Sequence, residues 1–104
     1  MPGGDFKVGD LVCSLAGRDK GRCYLVWSVR ENAFLELVDG HSRRVENPKR
    51  KNPKHVRSLN CTAWELAAKI KEGKLPSNSE VRKAILELGA TPGEDGVMTK
   101  EVGT

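Results

Sequence analysis

Hydrophobic positions alternate with polar ones through the first sixty residues and then change to a helical period. Leu11–Leu15 and Cys23–Val29 are rich in Val, Leu and aromatic residues and predict two strands, separated by a Gly-bounded loop. In the second, Cys23, Leu25, Trp27 and Val29 fall on one face and Tyr24, Val26 and Ser28 on the other. Both faces are largely apolar, which predicts a central strand covered on each side. Arg30–Ala33 predicts a turn, and Phe34–Val38 a third strand ended by Asp39-Gly40, a hairpin signal because both residues tolerate positive φ. Arg43–Glu46 is expected to return as a fourth strand. Pro48 and Pro53 lack the N–H that pairing needs, so Asn47–Lys54 is expected to be a basic loop, and Val56–Leu59 a closing strand. Five short strands in so short a stretch predict a small, strongly bent barrel.

Beyond residue 60 the period becomes that of a helix. Thr62-Ala-Trp-Glu65 reads as a capping box opening a helix that runs to about Glu72, with Gly73 as its left-handed C-terminal residue. Ser77-Asn-Ser-Glu80 is a second capping box. Val81, Ala84, Ile85 and Leu88 follow at i, i+3, i+4 and i+7, and Gly89 closes the helix. The expected organisation is therefore a barrel over residues 1–60, a two-helix hairpin over 61–90 and a disordered tail over 91–104. Trp64 is expected to anchor the first helix on the barrel. Trp27, Tyr24 and Phe34 admit a base-stacking reading, but in strands of a small barrel at least two belong in the core, with Tyr24 the most exposed.

Charge sharpens this picture. The net charge is +4, yet up to Leu59 there are 12 Lys/Arg against 7 Asp/Glu, and from Asn60 onward 6 against 7. Arg43–Arg57 alone carries 7 against 1, with His41 and His55 close by. Such concentration points to a polyanionic partner rather than to general solubility. Arg18, Lys20 and Arg22 form a second basic cluster on the Gly17–Gly21 loop; either they meet phosphate, or Asp19 pairs with them and the loop is merely solvated. Arg43 and Arg44, adjacent in the expected strand, point to opposite faces, so one is left to pair with Glu46 or Glu36. Lys49, Arg50, Lys51 and Lys54 stand without a local acid and would repel one another unless a polyanion compensates them. His55 and Arg57 extend that segment.

Other chemistry finds little footing. Cys13, Cys23 and Cys61 match no zinc spacing, so no metal or other cofactor is expected. They suit reduced thiols, although Cys13 and Cys23 flank one loop and could be bridged across a hairpin. His41 and His55 have no nucleophile at meaningful spacing, so no enzymatic activity is expected. There is no apolar run of spanning length, and the N-terminus lacks a secretory pattern, so the expectation is a cytoplasmic protein, monomeric when free and without membrane contact.

One resemblance gathers these residues. Val8-Gly9, Val12, Gly17-x-x-Lys20-Gly21, Val26 and Val29, followed by Val38-Asp39-Gly40, Arg43-Arg44-Val45 and His55-Val56-x-x-Leu59, resemble the KOW domain. That domain occurs in archaeal and eukaryotic large-subunit ribosomal proteins and in short bacterial RNA-binding proteins, and the helical segment is similar to the extension of the latter. Tyr24 departs from the pattern, standing where many KOW motifs have another glycine. The resemblance implies an SH3-like barrel, cations on the loop, contact with RNA (ribosomal RNA foremost, with ribosomal proteins nearby) and no catalysis. The rival expectation is a protein-interaction module docking on the ribosome or the transcription machinery through its helices. A methyl-lysine reader of the Tudor type would need an aromatic cage for which the chain has too few free aromatics.

Overall fold

Every β-strand here is short, and the two faces of the sheet they build go to different cores. In the computed structural model, which describes residues 6–31 and 34–92, the strands are β1 (Asp10–Ser14), β2 (Cys23–Val29), β3 (Leu35–Val38), β4 (Lys49–Lys51) and β5 (Val56–Thr62). Two helices follow, α1 (Trp64–Lys71) and α2 (Asn78–Glu87). The strands form one antiparallel sheet in the order β4-β3-β2-β1-β5, so β2 is central, as its two apolar faces predict. The edge strands β4 and β5 are not hydrogen-bonded to each other, and the sheet is open. They are nevertheless joined only by residues 52–55, a connection so short that the sheet must bend back on itself. The expected turn at Arg30–Ala33 and the tail beyond Pro92 lie wholly or partly outside the described residues.

Alternation decides which core each residue joins. Val12, Tyr24, Val26, Leu35, Leu37 and Val56 make one apolar cluster on the concave side. Leu11, Cys23, Leu25 and Val38 make another, roofed by Ala63 and Leu66 before and within α1 and by Val81, Ala84 and Ile85 of α2. Tyr24, expected to be the most exposed aromatic of the strands, is 2% exposed. Its even-numbered position places it on the concave face, where its hydroxyl donates to Asp19. Trp27 packs beside the helix-covered core, at a point where the β2–β3 register shifts between Val26 and Ser28. Cys13 and Cys23 are direct partners across β1 and β2, with both thiols free, and burial pushes the Cys23 thiol up to about 11.

Three local expectations are corrected. The fourth strand is Lys49–Lys51, not Arg43–Glu46, which lies in the loop after β3. That loop is organised by the buried Asp39 carboxylate, which accepts from the backbone N–H groups of His41 (2.8 Å) and Arg43 (2.7 Å) and from the Ser42 hydroxyl (2.8 Å). So tight a loop leaves no room for an immediate return strand. Pro48 and Pro53 bracket β4 instead of excluding it. Thr62 does not cap α1: the strand runs through it, its hydroxyl donates to Asp10 (2.9 Å), and Ala63 stands at the N-cap without a side-chain cap. Trp64 does not anchor the helix but is 67% exposed. Leu66, two residues on and so about 200° around the helix, takes the inward position instead.

Both helices lie against the sheet through glycines of the strand ends. A Cβ on Gly9 would stand 2.9 Å from Ala67 Cβ of α1, and one on Gly40 would stand 2.4 Å from the Asn78 carbonyl oxygen of α2. Asn78 accepts from Val45 N–H (2.7 Å) and donates to Glu46, and Arg82 donates to the Gly40 carbonyl (2.6 Å). Lys69 of α1 and Glu80 of α2 form an ion pair. The second capping box is present as expected: Ser77 Oγ accepts from Glu80 N–H, and the Glu80 carboxylate accepts from Ser77 N–H. Ser77→Ala is expected to lower stability by about 1 kcal/mol, read as a shift in thermal or urea midpoint. An unchanged midpoint would mean that packing of Val81 and Ile85 holds the helix without its cap.

Candidate nucleic-acid interface

The Gly17–Gly21 loop is shaped by its own backbone. Gly17 (φ 86°) and Gly21 (φ 92°) adopt the left-handed region that a side chain resists. Lys20 N–H donates to Gly17 O, Arg22 N–H to Asp19 O, and Gly21 N–H reaches back to Ser14 O. The result turns successive side chains of Arg18-Asp19-Lys20 in different directions: the cations outward, the acid inward.

Asp19 is the centre of the arrangement. Its Oδ1 accepts from Ser14 Oγ (2.7 Å) and Lys51 Nζ (3.0 Å), and its Oδ2 accepts from Tyr24 Oη (3.0 Å) and faces Lys49 Nζ at 3.5 Å. Burial by itself would raise its pKa. The hydrogen bonds from Ser14, Lys51 and Tyr24 and the charge of Lys49 outweigh burial and hold the carboxyl at about 2. Tyr24 is pushed in the opposite direction, upward, by its burial and by the adjacent Asp19 charge. Lys51 also donates to the Ala16 carbonyl (3.0 Å), and Leu15 N–H donates to the His55 carbonyl (2.8 Å). The loop is thereby stapled to β4 and to the turn that follows it.

The register explains why these lysines turn inward. Lys49 pairs with Leu37 and Lys51 with Leu35, so both share the concave face with the apolar cluster. Arg50 pairs with Glu36 and lies on the other face, its guanidinium 4.9 Å from the centre of the Phe34 ring. The expectation that Lys49, Arg50, Lys51 and Lys54 lack an acid is therefore corrected, since Asp19 answers two of them. Lys51, 9% exposed and doubly bonded, is a structural cation and not a contact residue. The alternative pairing of Asp19 with its neighbours does not occur. Among the described residues neither Arg18 nor Lys20 has an ion-pair partner, and both are exposed.

Lys54, His55 and Arg57 are exposed as well, the first two on a one-turn 3-10 helix, Pro53–His55, capped by Asn52 Oδ1 accepting from Lys54 N–H. Arg57 lies opposite Cys13 on β1, and Arg22 closes the loop at the start of β2. The Asp19 cluster and the Leu15–His55 hydrogen bond fasten the two basic stretches together; of the eight Lys/Arg in residues 17–22 and 49–57, Lys49 and Lys51 turn inward to Asp19 and Arg50 lies on the other face of the sheet. Arg43 and Arg44 stand apart in the loop that docks α2, where Arg44 pairs with Glu46 at 3.6 Å and the expected pairing with Glu36 falls to Arg30 (3.9 Å). Among the described residues no hydrogen bond or ion pair links either arginine to the Asp19 cluster. No set of three His, Cys, Asp or Glu side chains there is placed to hold a metal ion, and no helix is long and apolar enough to cross a membrane. No protein-family profile matches the chain, and no curated protein matches it.

Proposed function

We propose that this chain is a non-catalytic RNA-binding protein of the KOW type, its bent sheet being a small SH3-like barrel, and that it works in the cytoplasm on structured RNA, ribosomal RNA foremost. The observation that carries this reading is the inward Asp19. By drawing Lys49 and Lys51 to itself it fastens the loop to β4, and it leaves Arg18, Lys20, Lys54 and Arg57 exposed and Arg22 half-buried, none of them with an ion-pair partner among the described residues. A rigid, unneutralised cluster of that kind suits a phosphate backbone, which is bound by charge and read mainly by shape. The rival, a helical arm for a protein partner, has less behind it: the stripe that would make such an arm is consumed by the sheet, with Val81 and Ile85 wholly buried.

Binding is expected to weaken steeply with salt, and the slope reports which cations meet phosphate. Neutralising Arg18 and Lys20 to glutamine should flatten the slope of log K against log salt by about 1.4–1.8, as should neutralising Lys54 and Arg57, at roughly 0.7–0.9 per lost contact. Lys51→Met should leave the slope unchanged while lowering stability. Titration of a ribosomal RNA fragment over a salt series decides it. Equal slopes for the parent and both double variants would remove the phosphate-binding surface and the proposal with it.

A further inference from the structure

Trp64 is a large aromatic side chain left in the open at the far end of β5 from Arg57, roughly 17 Å along the strand from the basic surface. It is held there by design of its surroundings. Lys7 Nζ stands 5.3 Å from the ring centre, and Lys7 is itself fixed by Asp10, through its ammonium (3.2 Å) and its backbone N–H (3.0 Å). Asp10 in turn accepts from Thr62 Oγ1 two residues before the tryptophan. The indole walls a groove of about 480 Å3 whose other lining residues include Ala67, Ala68, Ile70, Lys7 and Lys71. Ala67, Ala68 and Lys71 lie three, four and seven positions after Trp64, on the same side of α1. Between the aromatic wall and the rim the lining is apolar, with Val8 beside Ala67, Ala68 and Ile70; both polar lining groups are lysines, and no acid lines it.

We propose that this groove is a stacking site for an unpaired nucleobase of the same RNA, the base taking the place that the Lys7 ammonium now holds over the Trp64 ring and lying beside the two alanines, while Lys7, swung aside, and Lys71 meet its flanking phosphates. The inference rests on the RNA-binding reading and adds to it a site for single-stranded RNA beside the surface that takes structured RNA. Charge selects this occupant: a planar ring flanked by anions fits a wall of indole and a rim on which Lys71 has no ion-pair partner among the described residues and Lys7, 55% exposed, keeps donors beyond its bond to Asp10. An apolar protein side chain would make use of the indole but not of the paired cations. Base stacking on an aromatic side chain is tolerant of sequence and needs no further donor set.

The full chain is tested against a short oligouridylate and a blunt RNA duplex, with Trp64→Ala and Trp64→Phe beside the parent. Because Trp64 is exposed, neither change should unfold the protein, which its melting curve verifies. Trp64→Ala is expected to weaken oligouridylate binding by about 5- to 160-fold, the range found for loss of one stacked base, and to leave duplex binding and its salt slope unchanged. Trp64→Phe should retain most of the affinity but lose the tryptophan quenching that the parent shows on adding oligouridylate. Equal oligouridylate affinity in the parent and Trp64→Ala would overturn the stacking site while duplex binding stood, and would leave the groove to another occupant. Failure of both probes to bind the parent at low salt would overturn the RNA-binding reading and this inference together.

Discussion

Asp19→Asn is expected to lower stability by about 3–5 kcal/mol, the cost of leaving buried positive charge without its counter-charge. The carboxylate that it removes is the acceptor for Ser14, Tyr24 and Lys51 and the neighbour of Lys49; the amide keeps one accepting oxygen but loses the charge and turns a donor toward groups that themselves donate. Adding Lys51→Met to Asp19→Asn should recover part of the loss, because the uncompensated ammonium goes with it. The same group sets an acid limb. Its folded pKa of about 2 lies below its ordinary value of 3.8, so the unfolded chain takes up the proton first as pH falls. Its contribution, about 2 kcal/mol, is present above pH 4 and is lost between roughly pH 4 and 2. Urea midpoints taken across that window should fall in the parent and change less in Asp19→Asn. Parallel curves for the two would show that the carboxylate titrates as it does in the unfolded chain.

Gly40→Ala is the second large effect, expected at about 2–5 kcal/mol from strained backbone and overpacking combined. At φ 75° a Cβ here is disfavoured whatever surrounds it, and it would also press into the Asn78 carbonyl and Arg82 of α2. Gly73→Ala is the control: its φ of 87° carries the same strain, but the new methyl would meet open space. Gly73→Ala should cost only about 1 kcal/mol. The difference between the two thermal midpoints isolates the contact between the Asp39–Arg43 loop and α2. Equal losses would mean that α2 yields to the intruding methyl and that its seat on the sheet is soft.

Much of the architecture is legible in the chain because it rests on local regularities. The two apolar faces of Cys23–Val29 place that strand at the centre, the change to a helical period after residue 60 announces the hairpin, and Ser77 with Glu80 makes the expected cap. Thr62 with Glu65 has the same pattern and makes no cap, because Asp10, fifty-two residues earlier, claims the hydroxyl. Trp64 and Tyr24 are misjudged for a related reason. Size and aromaticity do not say which side of an element faces the core, whereas helical phase and strand parity do. Alternation in Lys49-Arg50-Lys51 would have found the inward pair, had the strand been placed there and not at Arg43–Glu46.

For the candidate surface, the chain by itself determines its composition: a Gly-bounded loop with two cations around one acid and a basic stretch ending at Arg57. It also determines the backbone freedom at Gly17 and Gly21 that lets the loop turn. Only the tertiary structure decides that the two stretches are fastened together through Asp19, that Arg18 and Lys20 point outward, that Lys51 belongs to the interior, that Arg43 and Arg44 lie elsewhere, and that Trp64 stands in the open. The physical reason is that a carboxylate buried beside apolar side chains must be answered by donors wherever the fold brings them. Asp19 draws its donors from β1, β2 and β4, up to thirty-two residues away, and no periodicity in the chain encodes that meeting.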